Sequence, residues 1–169
     1  NTYNSINAIR LPMIDWNIRF FGAHMQTVSK DWSVSKEFHH AFEILIILEG
    51  NQETIIEKES YILNSGDIIL IPPGFEHTNR CISNDSMTYF CAHFDIDEPS
   101  FRIEMLKNCE LIYTPSSPYY QRLKSTLEKW YDRQFVTNVV IVKHKLHVQI
   151  VLFELLEVFA DIVSQNNKT

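Results

Sequence analysis

Glu37, His39, Glu43 and His77 are the residues of this chain best spaced to do chemistry together. His39 and Glu43 are four apart, and Gly50 follows Glu43 with six residues between. Downstream, Gly66 is followed after five residues by Pro72, then Pro73 and Gly74, and two residues later by His77. On an extended strand, residues at even separation share a face, so Glu37, His39, Glu43, Leu45 and Ile47 point the same way. His77, starting a strand after a tight Pro-Gly turn, reaches the same interior. Imidazoles and carboxylates gathered in this way suit a divalent cation with one position left open. They suit equally a set of groups that hydrogen-bond one another or a polar ligand, because buried polar groups must be paired. The spacing alone leaves both chemistries open.

The elements that must position these groups are strands. From about Asn17 to Thr114 the sequence reads as short apolar runs cut by turns, with candidates at 38–49, 52–62, 67–71 and 87–95. Glu49-Gly50-Asn51 and Pro72-Pro73-Gly74 are the clearest stops, the second because two amide donors are missing. Strands recurring about every ten residues predict a sandwich or barrel. From Pro118 onward the pattern turns helical: one helix over 119–135, and a longer one capped by Asn138 and running towards Ser164. The long helix carries two apolar faces. Ile141, Val148, Leu152, Leu155, Phe159 and Ile162 make one, and Val142, Leu146, Ile150, Phe153, Leu156 and Ala160 the other. One face docks the helix on its own domain; the second calls for the neighbouring helix, a second protomer, or both.

Composition narrows the classes. The 169 residues are enough for one domain with a real core, and 4 glycines with 6 prolines exclude fibrous and linker-like chains. Fifteen basic against 21 acidic side chains, a net charge of −6, argue against a nucleic-acid surface on this segment. Cys81, Cys91 and Cys109 are an odd, widely spaced set that suggests neither disulfides nor a cysteine zinc site, and a reducing cytoplasm is expected. Cys81 and Cys91 read as small buried hydrophobes. No apolar run is long enough for a membrane helix and no signal peptide opens the chain; a first residue of Asn1 rather than Met suggests a piece of something longer. There is no GxSxG elbow, no phosphate-cradling glycine loop and no CxxC.

The two spaced motifs resemble those of the cupin superfamily. Glu37 stands where the first histidine of the first motif is usual, while His39, Glu43 and Gly50 keep their places. Gly66, Pro72, Gly74 and His77 match the second motif, with Cys81 at its usual terminal Asn. Within the cupins the segment is similar to the sensor half of AraC-type transcription regulators. Trp32, the run Glu-Phe-His-His-Ala-Phe-Glu-Ile at 37–44, Leu48-Glu49-Gly50 and the stretch from Leu63 to Gly74 carry that likeness. The resemblance implies a mainly β cupin-like jelly-roll barrel over 17–114, preceded by an arm over 1–16 and followed by two antiparallel helices over 115–169 that dimerise. It implies a small polar effector, most simply a sugar, held in the barrel, and DNA contacted only through a domain expected after Thr169. The regulator would be a homodimer without catalysis.

The expected ligand-binding residues are His39, Glu43 and His77, with Trp32, His24, Tyr89 and His93 on flanking strands. Trp16 of the arm is a further candidate, as a stacking surface over a sugar. The aromatics Trp32 and Tyr89 read first as core packing, because sandwich interiors need bulk. No resident metal or other cofactor is expected; a divalent metal, if bound, would take His39, Glu43, His77 and Glu37. The expected dimer interface is the helix face of Val142, Leu146, Ile150, Phe153 and Leu156. A second reading of the same residues is a small metal-dependent cupin enzyme, a dioxygenase or a sugar isomerase.

Overall fold

The computed structural model describes residues 7–132 and 141–167. Its framework is a five-stranded antiparallel sheet facing a three-stranded one. The larger sheet orders β1 (Ile18–Ser29), β7 (Ser86–Ile96), β2 (Phe42–Glu49), β5 (Ile68–Ile71) and β8 (Ile112–Tyr113). The smaller orders β4 (Glu59–Leu63), β3 (Gln52–Ile56) and β6 (His77–Cys81). Single bridges, Ser33 to Arg80 and Glu37 to His77, tie the segment before β2 to β6. The described sheets form a cupin-like sandwich without hydrogen-bonded closure between them.

Residues 44–48 of β2 and all of β5 are continuous apolar runs, not alternating ones, because both faces of the large sheet are covered. Phe42, Ile44, Ile46, Ile68, Leu70, Phe90, Ala92 and Phe94 face a layer of helices. Leu45, Ile47, Ile69, Ile71, Met87, Tyr89 and Cys91 face the small sheet and fill the interior together with Ile56, Leu63 and Cys81. Opposite them, Gln52, Thr54 and Asn79 are buried and bonded to one another, Thr54 donating to Asn79 at 2.7 Å. The interior is therefore packed along most of its length, and room for a ligand lies at its end.

The helical layer is α1 (Pro99–Asn108), α2 (Tyr120–Tyr131) and α3 (Ile141–Asn166). Ion pairs Arg122–Asp161 and Lys129–Glu154, and the bond from Trp130 Nε1 to the Val148 carbonyl, pair rising with falling numbers, so α2 and α3 are antiparallel. Tyr120 donates from its hydroxyl to the Gly66 carbonyl and fixes α2 to the turn before β5.

Several expectations change. The stretch 52–62 is a hairpin of β3 and β4, turning at Glu57 with a positive φ of 55°. β2 starts at Phe42 rather than 38. α1 was not predicted: only its Met105 is fully buried, and Glu98 caps it by accepting from the Phe101 amide at 2.6 Å. Asn138, the expected cap of the long helix, lies outside the described residues. On α3, Val142, Leu146, Ile150 and Phe153 are exposed, but Leu156 is only 4% exposed and packs in the domain's own core. Leu156 therefore leaves the expected interface. Its helical position turns it towards the same core as Leu152 and Leu155.

Candidate functional site

The centre of the site is Glu43, the first interior-facing residue of β2. Its neighbours β5 and β7 bury it, leaving it 3% exposed. His77, the first residue of β6, is 2% exposed and brings Nε2 to 2.7 Å from Glu43 Oε2. His93, directly opposite Glu43 on β7, places Nε2 3.4 Å from Oε1, and Cys91 Sγ donates to that oxygen at 3.0 Å. Glu37 and His39 stand above, Oε2 to Nε2 at 3.1 Å, with Glu37 3.8 Å from His77. The His39 ring meets those of His93 and His77 with centroids 4.8 and 5.4 Å apart.

Chain geometry explains the cluster. Glu37 bridges to His77 instead of continuing β2, and the irregular segment after it swings His39 over the end of the sandwich. Gly74, with its positive φ, turns the chain after Pro73 and accepts the strand start at His77, while its amide donates to the His39 carbonyl at 2.8 Å. The two motifs are thus stitched together by backbone as well as by side chains.

Electrostatics set the protonation. Burial pushes the Glu43 carboxyl up, but His77, His93 and Cys91 outweigh it and hold it well below the usual carboxylate range. Burial pulls the His77 imidazole down, yet Glu43 beside it raises it above its ordinary value. Nδ1 of His77 lies 3.1 Å from the Phe75 carbonyl, to which it donates, so Nε2 meets the carboxylate as the second N–H of an imidazolium or as a bare lone pair. Despite the short approach, Glu43 Oε2, His77 Nε2 and His93 Nε2 have no well-aligned hydrogen-bond partner. Buried polar atoms in that condition fit a cation or a polar ligand group. Two trios could hold an ion, Glu37 with His39 and His77, or Glu43 with Cys91 and His93, each within 4.8 Å.

Above the cluster opens a cleft of about 480 Å³ lined by Arg19, Phe21, His39, His40, His93 and Asp95. Arg19 is paired with Asp97 and Asp95 accepts from Arg102, both at 3.0 Å. The walls thus offer hydrogen-bond donors and acceptors of both signs, a composition suited to a small polar molecule.

The structure divides the expected site residues. His39, Glu43, His77 and His93 come together with Glu37. Trp32, His24 and Tyr89 form a separate group towards the other end of β7: Tyr89 is four residues, about 13 Å, from His93. There, Tyr89 OH donates to Gln26 Oε1 and contacts His24 Nε2, each at 2.9 Å, and Trp32 packs on its ring. Burial pushes the Tyr89 phenol up to about 12. Trp16 is in neither group; it stacks on Phe101 of α1, on the helical side, because the chain enters β1 at that edge. Cys91, Arg19, His40 and Asp95 were not anticipated. Cys91 shares the interior face of β7 with Tyr89 and His93 by period-two alternation, a signal present in the sequence.

Residues 28–123, more than half of the chain, match the family model of the AraC-like ligand binding domain. The chain belongs to that family. Among solved structures, a conserved protein of unknown function, SPY1581, from Streptococcus pyogenes aligns at 17% identity and a TM-score of 0.41, over 55% of this chain and 96% of that one. A cupin 2 conserved barrel domain protein from Salinispora arenicola aligns at 18% and 0.41, over 53% and 91%. A predicted oxalate decarboxylase from Thermotoga maritima aligns at 19% and 0.42, over 44% and 65%. No curated protein sequence matches significantly. In this AraC-like domain, no helix among the described residues is long and apolar enough to cross a membrane.

Proposed function

We propose that this AraC-like domain senses a small polar effector, a sugar or related polyol, without catalysis, and passes the signal through a homodimer to DNA-reading units outside this chain. One observation carries the reading: the interior is packed along most of its length, and Glu37, His39, Glu43, His77 and His93 gather at one end of it beneath an open cleft. The Asp95 carboxylate accepts from hydroxyls, and Arg19, His39 and His93 donate to them. The arm supports the same reading, since Ile9, Leu11 and Met13 are almost wholly exposed and available to close over a bound ligand. Dimerisation is supported by the exposed stripe on α3. Three cysteines without disulfides accord with the cytoplasm.

A thermal-shift screen of sugars and polyols tests the effector. A ligand at a hundred times its dissociation constant adds about 2.7 kcal/mol of stability, and His39→Ala or His93→Ala should abolish that gain while the protein stays folded. A stabilising ligand indifferent to both substitutions would move the site elsewhere; no stabiliser in the panel would overturn the sugar class. The orphaned Glu43 Oε2 and His77 Nε2 favour one second reading, a metal-dependent cupin enzyme. Turnover of a stabilising ligand that requires added divalent metal and is lost in His77→Ala would select it.

A further inference from the structure

Glu43, Cys91 and His93 lie on the two neighbouring central strands of the large sheet, and only Glu43 belongs to a sequence motif. The register sets Glu43 opposite His93 and Leu45 opposite Cys91. Cys91 and His93, two apart on β7, therefore share the interior face and flank the carboxylate. Sγ lies 3.0 Å and His93 Nε2 3.4 Å from the same oxygen, Glu43 Oε1. All three donor atoms lie within 4.8 Å of one another. Zinc bonds of about 2.0–2.1 Å to nitrogen or oxygen and about 2.3 Å to sulfur set tetrahedral donors roughly 3.3–3.6 Å apart. The observed separations are close to that before any ion draws them together.

A second observation is independent of those distances. His93 Nε2 is buried and has no aligned hydrogen-bond partner. In the other trio, Glu37 and His39 pair with each other at 3.1 Å and each is about a third exposed. Their need for a partner is already met.

We propose that Glu43, Cys91 and His93 form a site for one thiophilic divalent cation, with Zn²⁺ as the ion its chemistry favours. A thiolate, an imidazole and a carboxylate are the mixed donor set that zinc accepts and that magnesium and calcium do not. Three protein donors leave one tetrahedral position for water. On binding, the Cys91 S–H bond breaks, an S–metal bond forms and the proton leaves to solvent; no oxidation state changes. His77, on the other oxygen of Glu43, becomes the group that orients the ligating carboxylate. The ion would tie β2 to β7 directly beneath the cleft, so it is a structural support for the effector site and not the motif-based metal set.

The test uses the full chain stripped with a chelator and titrated with Co²⁺ as a spectroscopic probe. One equivalent should bind with an intense near-ultraviolet thiolate-to-cobalt band and the visible bands of tetrahedral coordination. Cys91→Ser should lose the near-ultraviolet band and more than about tenfold in affinity, whereas Cys81→Ser and Cys109→Ser should keep both. Binding without that band, a band that survives Cys91→Ser, or no binding at all overturns the proposal. Should Cys91→Ser not fold, His93→Gln, whose side chain reaches the cleft, must weaken Co²⁺ binding with the circular dichroism of the fold retained; unchanged affinity overturns it. Sugar-induced thermal shifts of the stripped protein report on the effector separately, so failure of the ion leaves that reading standing.

Discussion

At the scale of single residues, the Glu43–His77 pair concentrates the electrostatic risk of the fold. Burying a charge is costly unless it is paired, and removing one partner of a buried pair costs about 3–5 kcal/mol. The pH dependence follows from the two directions. Glu43 titrates below its ordinary range in the folded protein, so its contribution is full above the unfolded value and is lost as pH falls through the folded one. His77 titrates above its ordinary value when folded, so its contribution is full below the unfolded value and is lost as pH rises through the folded one. In chelator-treated protein the urea midpoint should therefore be broadest and highest between roughly pH 4.5 and 6.5, falling on both sides. Glu43→Gln should flatten the acid limb and His77→Gln the alkaline one. A profile that keeps both limbs in both variants would show that other groups govern the titration.

At the scale of elements, turn chemistry decides which strands meet. Gly50 has a φ of 84°, and a Cβ there would lie 2.5 Å from Ser83 Oγ and 2.6 Å from the Ser86 carbonyl oxygen. Gly74 has a φ of 88° but open space around it. Gly74→Ala should therefore cost only the left-handed backbone term, about 1–2 kcal/mol. Gly50→Ala should cost clearly more, because the β2–β3 turn must also move off the β6–β7 turn; chemical denaturation of both variants measures the difference. Such turns are why the motif strands could be read from sequence: glycine and proline at fixed offsets have few other uses. β1 was hidden, since it is an exposed edge strand whose alternation is broken by a bulge between Phe20 and Gly22. α1 was hidden too, because its apolar residues do not form one face. For the site, Glu43, His77, His39 and His93 are legible in the sequence, while Cys91 reads there as packing. Its role depends on the β2–β7 register, which brings it to Glu43, 48 residues away in the chain.

At the scale of the molecule, α3 has one half buried in the domain and one half with an uncovered apolar stripe. Val151, Leu152, Leu155, Leu156, Phe159 and Ile162 bury its second half against α1, α2 and the large sheet. Val142, Leu146, Ile150 and Phe153, at spacings of four, four and three, remain exposed as one stripe. Two such stripes laid antiparallel would cover each other by the same packing that joins helices in bundles. The double variant Leu146→Asp/Ile150→Asp should then give a monomer by analytical ultracentrifugation at concentrations where the native chain is a dimer. Its monomer fold should be intact, because both side chains are more than half exposed. Leu156→Ala should do the reverse, losing about 2–5 kcal/mol of stability while leaving association in place. A native chain that is monomeric at high micromolar concentration would remove α3 as the dimer element. So would a double variant that still dimerises.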